Sequence, residues 1–234
     1  MLLVEGRVWR TNAIAAGTAN GVEARARYSP FMSQVFLLSP ARCDGRRAAL
    51  VMNPAAAFPL AVRLRDAEGA PIGEVFSFLS GLYFRGKIAY ATRFADPPRG
   101  TAASFVITTD RGLVEPEVAV TRDDLVAFSR VDIGAGDDRY RAPLARAAER
   151  LAATIGAATR VVLLGSIATG KYADVLLDVF GERLVFPGDF VGRGDMSRGG
   201  LMLRCASDGR ELEYLSVAGA VRRGKRPPKL VPLR

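Results

Sequence analysis

Two short apolar runs constrain this chain more than any other feature: QVFLLSP at 34–40 and TRVVLLGS at 159–166. Each holds four apolar residues in a row and ends in a turn, Ser-Pro in one and Gly-Ser in the other. A strand covered on both faces reads as a continuous apolar run, whereas a half-exposed strand alternates. Runs of this length, bounded by turn residues, predict buried strands. Helical patterns separate and follow them. Residues 137–156, DDRYRAPLARAAERLAATIG, form an amphipathic segment with a cap at Asp137 and a stop at Gly156. Residues 169–181, TGKYADVLLDVFG, read as a helix and RLVFP at 183–187 as a short strand. Buried strands alternating with helices predict an α/β fold, with a mostly parallel central sheet and helices on its faces.

The other segments fill in the plan. VEGRVWRTNA near the start alternates like a strand, and 17–33 reads as a loop. CDGRRAALVMNPAAAF has helical composition, with Pro54 as a stop or kink. LAVRLRD at 60–66 alternates and predicts a strand, and AEGAPIG at 67–73 a turn. The aromatic stretch 74–94 predicts two short helices hinged near Gly81 or Gly86, and SFVITTDRGLVEP at 104–116 a buried strand with a polar turn. GLMLRCA at 200–206 and ELEYLSVAG at 211–219 flank Asp208-Gly209 and predict a hairpin, an added antiparallel edge. There is no internal repeat and no convincing linker. The expectation is one domain over 1–216, followed by a basic, proline-containing tail at 217–234.

The 234-residue chain holds no histidine. That excludes His–Cys zinc sites and Ser-His-Asp triads, and acid–base chemistry falls to Asp, Glu, Lys, Tyr or Cys. No metal site or cofactor is expected. The two cysteines, Cys43 and Cys205, lie far apart and indicate no disulfide framework. No apolar run approaches the ~20 residues of a membrane helix. The chain therefore reads as cytoplasmic, with no membrane partner. The net charge of +9 is concentrated at the end: 217–234 carry Arg222, Arg223, Lys225, Arg226, Lys229 and Arg234 and no acid. A basic tail attracts nucleic acid by counterion release, or serves as a solubilising end.

Candidate site residues cluster in turns. Residues 186–200, FPGDFVGRGDMSRGG, place Arg193 and Arg198 around Asp195 and Ser197 among five glycines. Glycine lets the backbone approach a ligand, and arginine offers a planar fork for phosphate or carboxylate, so this reads as an anion-binding loop. Three strands end in small polar turns, carrying Arg42, then Asp110 and Arg111, then Ser166, Lys171 and Tyr172. In open α/β sheets ligands gather beyond the carboxyl ends of strands. The third turn matches phosphate-loop spacing at Gly165, Gly170 and Lys171, but Tyr172 stands where a hydroxyl ligand for magnesium is needed. In SGLYFRGK, Tyr83, Arg85 and Lys87 read as exposed and suited to nucleic acid. Cys43, near a helix start, is either an activated thiol or a small buried hydrophobe.

Five segments in order carry a resemblance: FLLSPAR (36–42), FLSGLYFRGK (78–87), ITTDRGLVEP (107–116), VVLLGSIATGKYADVL (161–176) and GRGDMSRGGLML (192–203). Together they resemble the YaaA-type peroxide-stress proteins over roughly residues 34–203. The chain departs from that pattern at its start, at Asp195, at Lys171 and in a long helical insert that is reduced or absent here. The resemblance implies an α/β fold with a basic cleft, DNA binding and a part in the oxidative stress response. It carries over Arg42, Tyr83, Arg111, Lys171, Tyr172, Arg193, Ser197 and Arg198. The expected function is DNA binding in a basic cleft. The alternative is an enzyme acting on a nucleotide-like small molecule or nucleobase there, with Asp195, Tyr172, Lys171 and Asp110 as candidate catalytic residues.

Overall fold

The computed structural model describes residues 33–134, 136–228 and 230; the strand expected near the start lies outside them, as does nearly all of the loop expected at 17–33. In chain order the elements are β1 (Ser33–Leu38), α1 (Arg46–Met52), α2 (Pro59–Arg63), β2 (Ala70–Pro71), α3 (Ile72–Ser80), α4 (Leu82–Phe94), β3 (Ser104–Ile107), β4 (Leu113–Val114), β5 (Ala119–Val120), α5 (Arg122–Ser129), α6 (Asp138–Ile155), β6 (Thr159–Leu164), α7 (Ala173–Phe180), β7 (Leu184–Pro187), α8 (Asp195–Asp208) and β8 (Tyr214–Ser216).

The sheet runs β4-β3-β1-β6-β7-β8. The inner strands β3, β1, β6 and β7 are parallel, and β4 and β8 are antiparallel edges. The two apolar runs are its centre, paired from Ser33↔Thr159 to Leu38↔Leu164. Alternation in a strand sends successive side chains to opposite faces. Phe36, Leu38, Val162 and Leu164 accordingly pack with α1–α5 and α8, while Val35, Leu37, Val161 and Leu163 pack with α6 and α7. Both faces are covered, so both runs had to be apolar throughout.

This layout creates a crevice. The chain leaves β1 over one face to reach β3, and leaves β6 over the other face to reach β7. The strands diverge in connection where they are adjacent in the sheet, so their carboxyl ends open onto a gap at the topological switch point.

The helices expected at 74–94 are α3 and α4, and the hinge is Gly81 at φ 60°. The helix expected over 137–156 is α6, capped by Asp137 and stopped at Gly156. Two expectations fail. Residues 60–66 belong to α2 and its end: Pro59 sits at a helix start, where its missing N–H costs nothing, and Leu60, Ala61 and Leu64 are buried with helical spacing. Residues 200–206 are not a hairpin arm but the body of α8, which buries Arg198, Leu201, Met202 and Cys205 at i, i+3, i+4 and i+7. Gly209 is no hairpin turn; it ends α8 in the left-handed region at φ 65°. Only 214–216 remain a strand, and they supply an antiparallel edge against β7 instead of against 200–206. The glycine-arginine stretch is likewise mostly structured, a short 3-10 turn at 188–190 followed by the first turns of α8.

Helices α4 and α8 touch backbone to backbone. A Cβ on Gly199 would lie 2.6 Å from Leu82 O, and one on Gly86 would lie 2.7 Å from Gly199 O. This close approach brings the start of α8 beside Tyr83 and Lys87.

Candidate functional site

A cleft of about 650 Å³ opens where β1 and β6 end. The turn after β1 supplies Ser39 and Arg42, the start of α1 supplies Arg46 and Arg47, and α4 supplies Tyr83. The turn after β6 supplies Ser166, Lys171 and Tyr172, and Asp195 closes the side at the start of α8. The sheet topology thus gathers six of the sequence-expected residues: Arg42, Tyr83, Ser166, Lys171, Tyr172 and Asp195.

The rim is cationic and exposed. Arg42 is held to Asp44 by two hydrogen bonds of 3.0 and 2.8 Å, so part of its charge is answered locally. Arg47 donates to Phe78 O at 3.0 Å. Arg46 and Lys171 stand in no ion pair with a described residue.

The floor is buried. The Tyr172 hydroxyl accepts the Ser166 backbone N–H at 2.8 Å. The turn's own side chain therefore takes a backbone donor that a phosphate would need, a physical reason why phosphate-loop spacing here does not make a phosphate loop. Tyr83 is 5% exposed, and its hydroxyl finds no acceptor among the described residues, with the Arg198 guanidinium beside it. Burial raises the pKa of both phenols, so both remain protonated at neutral pH.

Lys87 corrects the expectation of an exposed cation. It is fully buried directly beneath Ser39. Its Nζ reaches Ser39 O at 2.8 Å and Ser39 Oγ at 2.7 Å, and lies 3.9 Å from the centre of the Tyr83 ring. Burial pushes the ammonium down to about 7, with Asp195 opposing and Arg198 adding to the shift. Tyr83, also expected to be exposed, is buried with it, and of that segment Arg85 alone is exposed as expected, away from the cleft lining.

The remaining candidates are not in the cleft lining. Arg111 is bound to Asp124 at the start of α5 and lies over Phe128. Asp110 sits 3.8 Å from Arg111 with one carboxylate oxygen buried and given no hydrogen bond by the described residues, and burial raises its pKa. Arg193 donates to Asp189 O at 2.9 Å and to Ser197 Oγ at 3.3 Å. Arg198 is buried, spending two donors on Phe190 O and a third on Asp195 at 3.2 Å. The arginines of the glycine-rich stretch therefore brace the entry to α8 instead of forming an open anion loop. Cys43 is a buried packing residue whose thiol burial pushes up to about 12, the opposite of activation.

Among the described residues no group of three or more acidic or cysteine side chains is placed to hold a metal ion, and no helix is long and apolar enough to cross a membrane. Sequence reasoning passed over Ser39, Arg46 and Arg47 as site residues and misplaced Lys87. A signal for Lys87 existed: Tyr83, Lys87 and Tyr90 share the helical spacing of a buried face. Comparison with family models, curated proteins and solved structures finds no match to this chain.

Proposed function

We propose that the cleft binds DNA, taking phosphates on its arginine-lysine rim and a nucleotide's sugar or base toward the tyrosine floor. The observation that carries this reading is the convergence of Arg42, Arg46, Arg47 and Lys171 on one concave site at the switch point of the sheet. The tail supports it. Residues 220–228 form neither helix nor strand, and Arg222 pairs with Asp174 at 2.5 Å. Its guanidinium lies close to Gly170, so the basic segment begins beside Lys171 at the cleft mouth. The resemblance to YaaA-type proteins agrees with this reading and extends it to oxidative stress.

The test is fluorescence anisotropy with labelled single- and double-stranded DNA across a salt series. Wild type binds with an affinity that falls steeply as salt rises, and the double variant R46A/K171A lowers the logarithmic salt slope by about 1.4 on single strands or 1.8 on duplex. Binding that ignores salt, or that is lost only when the tail is removed, refutes the cleft as the site.

A second reading, an enzyme acting on a nucleotide-like small molecule, is favoured by one observation: the floor holds buried protonated phenols and a buried amine, which phosphate binding alone does not require. Asp195→Ala separates the two. Removing that carboxylate strengthens simple phosphate binding and abolishes a reaction that depends on it.

A further inference from the structure

We propose that Ser39 is a nucleophile, that Lys87 is its general base, and that the cleft hydrolyses an ester or amide whose anionic portion rests on the arginine rim. The inference goes beyond DNA binding and does not rest on it.

Accessibility assigns the roles. Ser39, though only 4% exposed, lines the cleft, whereas Lys87 is fully buried and does not. A substrate in the cleft meets the hydroxyl, and the amine stands behind it at 2.7 Å. The amine's second contact, to Ser39 O at 2.8 Å, fixes its direction. Nζ lies within donating reach of both oxygens; to act as the base, the neutral amine keeps its N–H to Ser39 O and turns its lone pair to the proton on Oγ. Among the described residues no carboxylate hydrogen-bonds Lys87, Asp195 acting on it only through space, and its surroundings include the faces of Tyr83 and Phe84. A histidine-free chain needs such a base, and a lysine made neutral by burial is able to serve.

Tyr83 supplies the third part. Tyr83 lines the cleft wall, and its hydroxyl is buried there, a donor with no acceptor among the described residues. A protonated phenol offers one hydrogen bond, which suits the single oxyanion of a tetrahedral carbonyl adduct. A phosphoryl group would require cations around several oxygens beside Ser39, but Arg42, Arg46 and Lys171 are exposed at the rim and Arg198 is committed to Phe190 and Asp195.

The chemistry balances without a metal or redox partner. Ser39 Oγ bonds to the carbonyl carbon as its proton passes to Lys87 Nζ. The carbon–oxygen or carbon–nitrogen bond of the leaving group breaks, and Lys87 returns the proton to that group. Lys87 then takes a proton from a water molecule, which attacks the acyl-serine, and returns that proton to Ser39 Oγ as the acyl–oxygen bond breaks, releasing a carboxylic acid and free Ser39.

The test uses the intact protein and two probes. A fluorophosphonate exchanges its fluoride for Ser39 Oγ, and peptide mass mapping locates the adduct. p-Nitrophenyl acetate reports an acyl burst. Ser39 is the residue labelled in wild type, and S39A loses both signals. K87R keeps a long cationic side chain but not a neutral base, and slows labelling about 100-fold or more. The labelling rate rises with pH through a midpoint near 7 in wild type and loses that midpoint in K87R. The charged and titratable groups facing Lys87 are Tyr83 from its own helix and Asp195 and Arg198 from α8. Tyr172 lies beyond Ser39, and both phenols titrate far above this range. No adduct at Ser39 with either probe, or an adduct on Lys87 or Tyr83 instead, overturns the proposal. Turnover of p-nitrophenyl phosphate without turnover of the ester overturns the carbonyl assignment. Because wild-type labelling is read directly, a variant that fails to fold does not protect the proposal, and DNA binding is scored in a separate assay.

Discussion

Replacing Lys87 by methionine tests whether burial keeps this amine neutral. The group falls from an ordinary 10.5 to about 7 on folding, chiefly because burial penalises the ammonium. The unfolded chain therefore binds more protons than the folded one between roughly pH 7 and 10.5, and stability rises with pH across that window. Below about 7 both states are protonated and the burial penalty is felt in full. From pH 7 to 9, the two-state expression gives a gain of about 2 kcal/mol from this one group. Methionine has nearly the same length and no charge, so K87M lacks that gain. Denaturant unfolding at pH 7, 8 and 9, with equal slopes checked for both proteins, measures the difference. The remaining ionisable groups are common to both and largely cancel. Wild type should gain about 2 kcal/mol on the variant over this range. Parallel profiles would mean that Lys87 keeps an ordinary pKa in the fold, and would remove the basis for its role as a base.

Three further outcomes follow from the packing. Gly199→Ala puts a methyl 2.6 Å from Leu82 O and 2.7 Å from Tyr83 Cα, so α4 and α8 must part. A chemical melt should show a loss of about 1–3 kcal/mol, whereas a gain from helix propensity would refute the backbone contact. Tyr90→Phe removes the acceptor of the Leu212 N–H at 2.8 Å and the partner of Tyr214 at 2.9 Å, costing about 1–3 kcal/mol in the same assay. With its thiol pushed up from 9.0 to about 12, Cys43 should react with iodoacetamide at pH 8 roughly 1,000-fold more slowly than a free thiol. Rapid labelling mapped to Cys43 in the native protein would restore the reactive-thiol reading.

What the chain alone determined was its frame. QVFLLSP and TRVVLLGS had to be strands covered on both faces, and residues 137–156 had to be a capped helix, because those patterns depend on local periodicity and chain geometry. The turns after the two runs could likewise be read as a site, since a parallel sheet delivers its strand ends to one edge; Arg42, Ser166, Lys171 and Tyr172 lie in the cleft for that reason. Only the tertiary structure decided the rest. The segment at 200–206 reads apolar enough for a strand, and it became helix because its buried stripe meets α4 through Gly86 and Gly199. Arg198 looked like an open anion ligand until Phe190 and Asp195 claimed its donors. Lys87 looked like an exposed cation until α4 turned it beneath Ser39. Burial and hydrogen-bond partners are set by neighbours distant in sequence, and the ionisation state of a buried group follows from them. The ends of the strands were legible in the chain; the amine below them was not.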